Sequence, residues 1–323
     1  MFVFTYYQLL HIRLTLPHWG QKEMELLTTQ LSQKAIDDCS ARKGGTVEIP
    51  SGHFLTRTLF LKSNVNLHLH FGAELLGSTD LDSYHKVFPE LKGKESPALI
   101  FARGVANIAI TGSGTINGQG AHQNFQHGND SKGGPRRPKI IYFIGCNNVR
   151  VQDVTLRNSA YWTQDYEKCN GVIVRGVKVY SHANWNNDGL DIDSRNVVVS
   201  DCYIDCDDDA LCLKSDTDTP CENVTVTNCV LKSNCNAIKF GTSSYSGFKN
   251  VTISNCTIDR ASEDHIRQWY KNYPWIGTKH KTVVAGIALE SVDGGIIENV
   301  SISDIAMQGV QTPIFVRLGD RKR

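Results

Sequence analysis

The segment Asn223–Leu231 reads Asn-Val-Thr-Val-Thr-Asn-Cys-Val-Leu, and Asn250–Ile258 repeats it as Asn-Val-Thr-Ile-Ser-Asn-Cys-Thr-Ile. The shared form is Asn-Val-x-Val/Ile-x-Asp/Asn-x-x-apolar. Other copies are Asn148–Leu156, Asn196–Ile204 and Asn299–Met307, with Gly171–Val179 as a degenerate copy. The copies begin 23, 25, 27, 27 and 49 residues apart. A period in the twenties built from short alternating strands is typical of a solenoid, so the sequence predicts an all-β parallel β-helix.

A second strand in each coil carries two inward apolar residues, because side chains alternate across a strand. Four strands can be aligned through the pairs Leu190 with Ile192, Leu211 with Leu213, Ile238 with Phe240, and Ile287 with Leu289. The alignment gives three columns: Asp188, Asp209, Asn236 and Ala285; Asp193, Lys214, Gly241 and Glu290; Asp191, Cys212, Lys239 and Ala288. Strands of adjacent coils lie roughly 4.8 Å apart. We therefore expect Asp188 and Asp209 to be neighbours, with Asp208 beside them.

These three carboxylates have a structural and a chemical interpretation. They could be solvated turn residues, but three carboxylates at one edge repel each other without an evident structural return. Hydrolysis by acid–base catalysis needs a protonated acid and a base that activates water. Mutual repulsion can supply both, because it raises one pKa and leaves the other groups ionised. The residues alone leave open which of the three keeps the proton.

Composition and chain organisation are those of one solenoid domain. The 323 residues are 40% hydrophobic with a net charge of +1, and no basic stripe or membrane-length apolar run is present. We therefore expect neither nucleic acid nor a membrane as a partner. Gln21–Ala41 reads as an amphipathic helix that caps a single domain at 21–323. Its apolar face consists of Leu27, Leu31, Ala35, Ile36 and Cys39.

Both ends of the chain are unusual for such a domain. Residues 1–20 are unassigned, because Phe2–Leu10 is apolar but lacks the basic start and cleavage site of a secretory signal. The chain stops soon after an apolar strand without an evident cap, so truncation at the C-terminus is expected.

The ten cysteines follow the repeat. Cys202, Cys229 and Cys256 occupy one repeat position, and we expect them to stack as packed thiols rather than disulfides. The remaining pairing candidates are Cys206, Cys212, Cys221 and Cys235, whose connectivity the sequence leaves open.

The chain resembles the polygalacturonase-like glycoside hydrolases, family 28, from about Ala35 to Leu318. The resemblance rests on Gly44–Gly52, Gly112–Gly118 and Arg137-Pro138, and on Asn186-Asn187-Asp188, which stands for the family's Asn-Thr-Asp, and Asp208-Asp209. It implies a right-handed, single-stranded β-helix that hydrolyses pectic polysaccharide with inversion, with no metal or cofactor. It also implies Asp208 as the acid, Asp188 and Asp209 as the groups that activate water, and a secreted or periplasmic location. A monomer acting on a poly- or oligosaccharide is expected.

Two departures from the family concern charge. The family's Gly-His-Gly falls on Cys235-Asn236-Ala237, and its carboxylate-binding Arg-Ile-Lys falls on Ala288-Leu289-Glu290. Glu290 would repel a uronate carboxylate, so we expect a neutral sugar at that subsite. Lys239 and Lys214 could restore positive charge, or Lys214 could simply pair with Asp193 and Glu290. The candidate substrate-binding residues are Asn187, Asn236, Lys239, Glu290, Lys214, Trp162 and His182.

The loops around the acidic strands carry many aromatic residues. Asp259–Val284 stretches one repeat to 49 residues, and its notable side chains are His265, Arg267, Trp269, Tyr270, Tyr273 and Trp275. Aromatic faces stack on sugar rings, although any one of them could instead anchor the loop. Two other classes remain open, a β-helix polysaccharide lyase and a non-catalytic carbohydrate-binding solenoid.

Overall fold

The computed structural model describes residues 21–88, 96–125, 137–263 and 282–321. The N-terminal segment 1–20 and the aromatic residues between 264 and 281 lie outside the described residues. The helical elements are α1 (Gln21–Ala41), α2 (Leu81–Val87) and a 3₁₀ turn at Gln123–Phe125.

Most of the other described residues belong to strands. The first strands are β1 (Gly45–Ile49), β2 (Gly52–Thr56), β3 (Leu59–Phe60), β4 (Val65–Leu69), β5 (Ala73–Gly77), β6 (Ala98–Arg103), β7 (Ala106–Gly112), β8 (Thr115–Asn117), β9 (Lys139–Ile144), β10 (Asn147–Gln152) and β11 (Thr155–Arg157). The later strands are β12 (Gln164–Arg175), β13 (Lys178–Ser181), β14 (Leu190–Ser200), β15 (Tyr203–Cys206), β16 (Leu211–Ser215), β17 (Cys221–Thr227), β18 (Val230–Ser233), β19 (Asn236–Ser244), β20 (Phe248–Arg260), β21 (Val283–Ser291), β22 (Ile297–Met307) and β23 (Val310–Leu318).

The strands stack as three parallel sheets around one core, which confirms the predicted parallel β-helix. The first sheet runs β1-β4-β7-β10-β12-β14-β17-β20-β22, and the second runs β2-β5-β8-β11-β13-β15-β18-β20-β22. The third runs β3-β6-β9-β12-β14-β16-β19-β21-β23 and carries the acidic strands. In strand β17 valines alternate inward, and corresponding residues of each coil meet in one apolar column. Each coil thus buries its apolar face against its neighbours.

The asparagine that opens each repeat turns the backbone. Asn196, Asn223, Asn250 and Asn299 all have φ between 54° and 56°. Asparagine tolerates this left-handed conformation better than most residues. Each side-chain amide donates to the asparagine of the preceding coil, at 2.7–3.0 Å. In the degenerate copy Gly171 takes the same bend, with φ 73°.

Helix α1 covers the first coil, as the sequence predicts. Ile36 is fully buried in the core. The Gln33 side chain accepts a hydrogen bond from the Phe60 amide at 2.8 Å and donates to the Phe60 carbonyl at 3.0 Å. These bonds satisfy the backbone amide and carbonyl of Phe60 in β3. This strand is the outermost one of the third sheet and has no preceding strand to pair with. At the other end, apolar residues of β23 such as Ile314 and Val316 are exposed.

The cysteines are packed thiols, in agreement with the prediction for the stacked trio. All ten are free. Cys202, Cys229 and Cys256 are buried in the core, and each thiol hydrogen-bonds a backbone carbonyl two residues earlier, at 3.2 Å. Among the helices in the described ranges, we find none with the length and apolarity needed to cross a membrane.

Candidate active site

The register of the third sheet brings the predicted aspartates together. Leu190 pairs with Leu211, and the Gly189 amide donates to the Asp209 carbonyl at 2.8 Å. This places Asp188 beside Asp209 on adjacent coils, as expected from the alignment. Asp208 immediately precedes Asp209, and the two offer oxygens within 4.8 Å of each other.

Asp188, Asp208 and Asp209 line one cleft of about 480 Å³. Their exposed fractions are 4%, 6% and 3%, so only a small part of each residue reaches solvent. Low exposure to solvent strengthens the electrostatic interactions between these carboxyl groups and a substrate in the cleft.

Asp209 is held as a carboxylate. The Lys239 ammonium lies 2.8 Å from its Oδ2, and the Asn236 side-chain amide donates to its Oδ1 at 2.7 Å. Burial acts to raise the pKa of Asp209, but Lys239, Lys214 and the Asn236 hydrogen bond outweigh burial and hold the pKa below its usual value. Asn236 and Lys239, which the sequence suggested as substrate-binding residues, are thus placed against the Asp209 carboxylate.

Asp208 is positioned through its backbone and its neighbour. The buried Asn187 side chain accepts a hydrogen bond from the Asp208 amide at 3.1 Å. The Asp209 amide donates to Asp208 Oδ1 at 3.0 Å. Asn187 therefore supports the Asp208 backbone, and it is not among the described residues that line the cleft.

Lys214 points towards carboxylates other than the suggested Asp193 and Glu290. Its ammonium lies 3.0 Å from Asp191 Oδ1 and 3.8 Å from Asp188 Oδ2. Burial raises the pKa of Asp191 well above its usual value, and the charge of Asp188 acts in the same direction against the opposing effect of Lys214. Lys214 therefore balances the charge beside Asp188.

His182 and Glu290 lie apart from the residues that line the described cleft. His182 is buried and hydrogen-bonds Asp205 at 2.8 Å. Glu290 is also largely buried, and its backbone lies directly against Gly241, where an added Cβ would come within 2.2 Å of the Glu290 carbonyl oxygen. The predicted column of Gly241 and Glu290 is therefore formed.

Trp162 lines the cleft next to two ammonium groups. Lys214 Nζ lies 4.3 Å and Lys139 Nζ 4.5 Å from its ring centroid. Tyr161 stacks on Trp162 with ring centroids 5.3 Å apart. Such cation–π contacts stabilise the lysines where they are partly desolvated. Trp162 therefore positions cationic groups at the cleft.

The described residues that line the cleft are rich in carboxyl groups. They include three lysines and seven carboxyl groups, namely Asp165, Glu167, Asp188, Asp193, Asp208, Asp209 and Asp216. Burial raises the pKa of Asp193 to about 7, with Asp165 and Glu167 acting in the same direction, so this group binds a proton in mildly acidic solution. Sequence reasoning missed Lys139, Asp165 and Glu167. Asp165 is the register partner of Asp191, and Glu167 that of Asp193.

Arg137 connects the two loops that carry site residues. Its fully buried guanidinium donates to the Ala160 carbonyl at 2.9 Å and the Trp185 carbonyl at 2.7 Å. It also donates to the side chain of Asn184 at 2.7 Å and that of Asn186 at 3.3 Å. One loop precedes Trp162 and the other leads to Asp188. Arg137 is therefore a positioning residue for both.

Arg137→Lys is expected to lower kcat by at least about tenfold and to lower the unfolding temperature. Lysine keeps the charge but cannot reach four acceptors in a planar fork, and small displacements of reacting groups are costly. Steady-state kinetics and thermal unfolding would measure both effects. Arg157→Lys is the matched control, because Arg137 lies over the ring of Tyr161 and Arg157 over that of Tyr180, but Arg157 is at the surface. Equal kinetics for the two variants would contradict this role.

Two buried groups in the site have the composition of metal ligands, Asp188 with Asp191 and Cys212, and Asp208 with Asp209 and Cys235. In each group a lysine ammonium already lies next to a carboxylate, Lys214 in the first and Lys239 in the second. A divalent cation would have to displace or approach that ammonium, so neither group suits one.

The family model for glycosyl hydrolases family 28 matches residues 39–319. A probable polygalacturonase of Vitis vinifera is 30% identical over 215 residues, which cover 62% of this chain and 43% of that protein. The chain thus spans less than half the length of this curated relative.

Two solved structures share the fold. A polygalacturonase from Erwinia carotovora ssp. carotovora has a TM-score of 0.75 and 21% identity, covering 91% of this chain and 77% of that one. A family 28 exopolygalacturonase of Yersinia enterocolitica has a TM-score of 0.70 and 24% identity, covering 90% and 58%.

Proposed function

Because the chain belongs to glycosyl hydrolases family 28, we propose that it is an O-glycoside hydrolase that cleaves a pectin-type polysaccharide with inversion. The observation that carries the proposal is the meeting of three carboxyl groups, Asp188, Asp208 and Asp209, in one cleft. Lys239 helps to hold the pKa of Asp209 below its usual value, so this group suits the base. The resemblance to the family assigns the acid to Asp208.

In the proposed mechanism Asp208 protonates the leaving oxygen of the glycosidic bond. Asp209 and Asp188 accept a proton from a water molecule as it attacks the anomeric carbon from the opposite face. Lys239 keeps Asp209 ionised before the reaction, and Lys214 offsets the charge beside Asp188. Every group in this scheme comes from one chain, so a monomer suffices, and no step requires a metal or cofactor.

The charge of the described lining supports a neutral sugar in the cleft. Among the described residues, the lining has seven carboxyl groups against three lysines, and each of these lysines already forms an ion pair. A uronate carboxylate would therefore meet net repulsion unless a cation compensated for it. Glu290 lies outside the described lining of the cleft, but by resemblance it takes the place of the family's carboxylate-binding lysine. A carboxylate at that place would repel a uronate and can accept hydrogen bonds from sugar hydroxyls. We propose that a rhamnose-like, non-uronic residue occupies the subsite next to Glu290 within a pectic chain.

Unmodified polygalacturonate is accordingly expected to be a poorer substrate than a pectic polymer that contains neutral sugars. Comparing kcat/KM on the two polymers measures the preference. Glu290→Lys should shift it towards polygalacturonate, because an ammonium can pair with uronate. Glu222→Lys, on the first sheet, is the charge-matched control and should leave the preference unchanged. Efficient hydrolysis of polygalacturonate by the unaltered protein would refute the neutral subsite while leaving the hydrolase assignment intact.

A further inference from the structure

Three side chains of metal-ligand type meet on the first sheet, away from the acidic strands. Glu48 is in β1 and His68 in β4, and the two are register partners on adjacent coils. His70 follows two residues later and therefore projects to the same face as His68. Each of the three residues offers a ligand atom within 4.8 Å of the other two. The cleft mechanism uses none of them.

Hydrogen bonding fixes the ring of His68 in the form that binds metals. The Thr111 hydroxyl donates its proton to Asn66 Oδ1 at 2.9 Å. Thr111 Oγ1 also lies 2.8 Å from His68 Nδ1, and since its proton is already used, it accepts from that nitrogen. The proton of His68 is therefore on Nδ1, and Nε2 keeps its lone pair. Metal-binding histidines usually have such a partner on the other ring nitrogen.

We propose that Glu48, His68 and His70 bind one divalent transition-metal ion of the Zn²⁺, Ni²⁺ or Cu²⁺ class. Imidazole and carboxylate groups are suitable ligands for these ions, at about 2.0–2.2 Å for Zn²⁺. His70 Nε2 and Glu48 Oε2 already form a hydrogen bond with each other, so the ion would replace the proton between these two atoms and they would move apart slightly. The side chains of Glu48 and His70 are 54% and 52% exposed, so they can rotate to do so. Water would complete the coordination.

The bound ion would connect β1 to β4 in the coil next to helix α1. Metal binding to the folded chain alone stabilises the fold by mass action. A metal ion binds the neutral form of each imidazole. The proposal is independent of the proposed hydrolase function, since it concerns binding and stability.

The test is a titration of the full chain with ZnCl₂ and NiCl₂ at pH 7.5, read by calorimetry, together with thermal unfolding. His68→Ala and His70→Ala should each weaken binding at least tenfold and remove the Zn²⁺-dependent rise in unfolding temperature. His53→Ala is the matched control. His53 also pairs with a cross-strand glutamate, Glu74, at 2.8 Å, but it is not part of this group.

Binding of one ion that His53→Ala retains and the other two variants lose would support the proposal. Failure of the unaltered chain to bind either ion at micromolar concentration would overturn it. Retention of the same binding by the His68→Ala/His70→Ala double variant would also overturn it.

Discussion

Asp208→Asn is expected to lower kcat by about 10³-fold, within the range attributed to general acids, while leaving the fold intact. The amide has the shape of the carboxyl group but cannot donate the acidic proton to the leaving oxygen. Its Oδ1 can still accept the hydrogen bond from the Asp209 amide, so the turn should keep its geometry. Steady-state kinetics on a pectic polymer and circular dichroism would measure the two effects.

Asp207→Asn is the control for this substitution. Asp207 precedes Asp208 in the chain and is buried, and its Oδ1 accepts a hydrogen bond from Asn234 at 2.9 Å. It is absent from the cleft lining among the described residues. An asparagine at 207 can keep that bond, so kcat should change little. Near-normal turnover in Asp208→Asn would mean that another group supplies the proton.

Asp209→Asn is expected to lower kcat by about as much and also to lower the unfolding temperature. It removes the proposed base, and it leaves the Lys239 ammonium without the carboxylate 2.8 Å away. A buried charge that loses its partner is destabilising. Combining Asp209→Asn with Asp188→Asn should cost much less than the product of the single losses, because residues that act as a unit are non-additive. Fully multiplicative losses would show that the two aspartates act separately.

Lys239→Met tests the role of Asp209 independently, through the pH dependence of kcat/KM. Lys239 lowers the pKa of Asp209, so its removal should raise that pKa. A base is active only when ionised, and the acidic limb of the kcat/KM profile should therefore move to higher pH. An unchanged acidic limb, with the fold intact, would indicate that Asp209 is not the titrating base.

The β-helix coil, the capping helix and the central columns could be predicted from the sequence, because each depends on local periodicity. Val and Ile alternate in the repeat strands, and Asn or Gly opens each repeat at the left-handed bend. The column alignment also placed Asp188 beside Asp209 without any three-dimensional information, because parallel strands in neighbouring coils keep one register.

The four aligned strands begin at Leu190 and leave out β12, the strand of the preceding coil that pairs with β14. The preceding strand places Gln164, not an apolar residue, at the corresponding inward position, and Tyr166 donates a hydrogen bond to it at 3.0 Å within the core. A polar residue at an inward position interrupts the alternation of apolar residues on which the alignment depends. Asp165 and Glu167, which flank Tyr166 and face the cleft, were missed for that reason.

The aligned columns of the four strands did not predict which ion pairs form. Lys214 shares a column with Asp193, but its long side chain reaches Asp191 and Asp188 instead. Arg137 was recognised only as part of a family motif, since its four acceptors come from two loops that are more than 20 residues distant in sequence. Flexible side chains and long-range loop contacts have no periodic signal.

The most direct test of the central claim is the configuration and mass of the first product. A defined pectic oligosaccharide would be cleaved by the full chain and followed by proton NMR before mutarotation, with mass spectrometry of the fragments. We expect saturated fragments whose summed mass exceeds that of the substrate by one water per bond cleaved, with the new reducing end in the inverted anomeric configuration. A retained configuration would contradict the roles assigned to Asp188, Asp208 and Asp209. An unsaturated fragment without added water would identify a lyase, and binding without any product would identify a carbohydrate-binding solenoid.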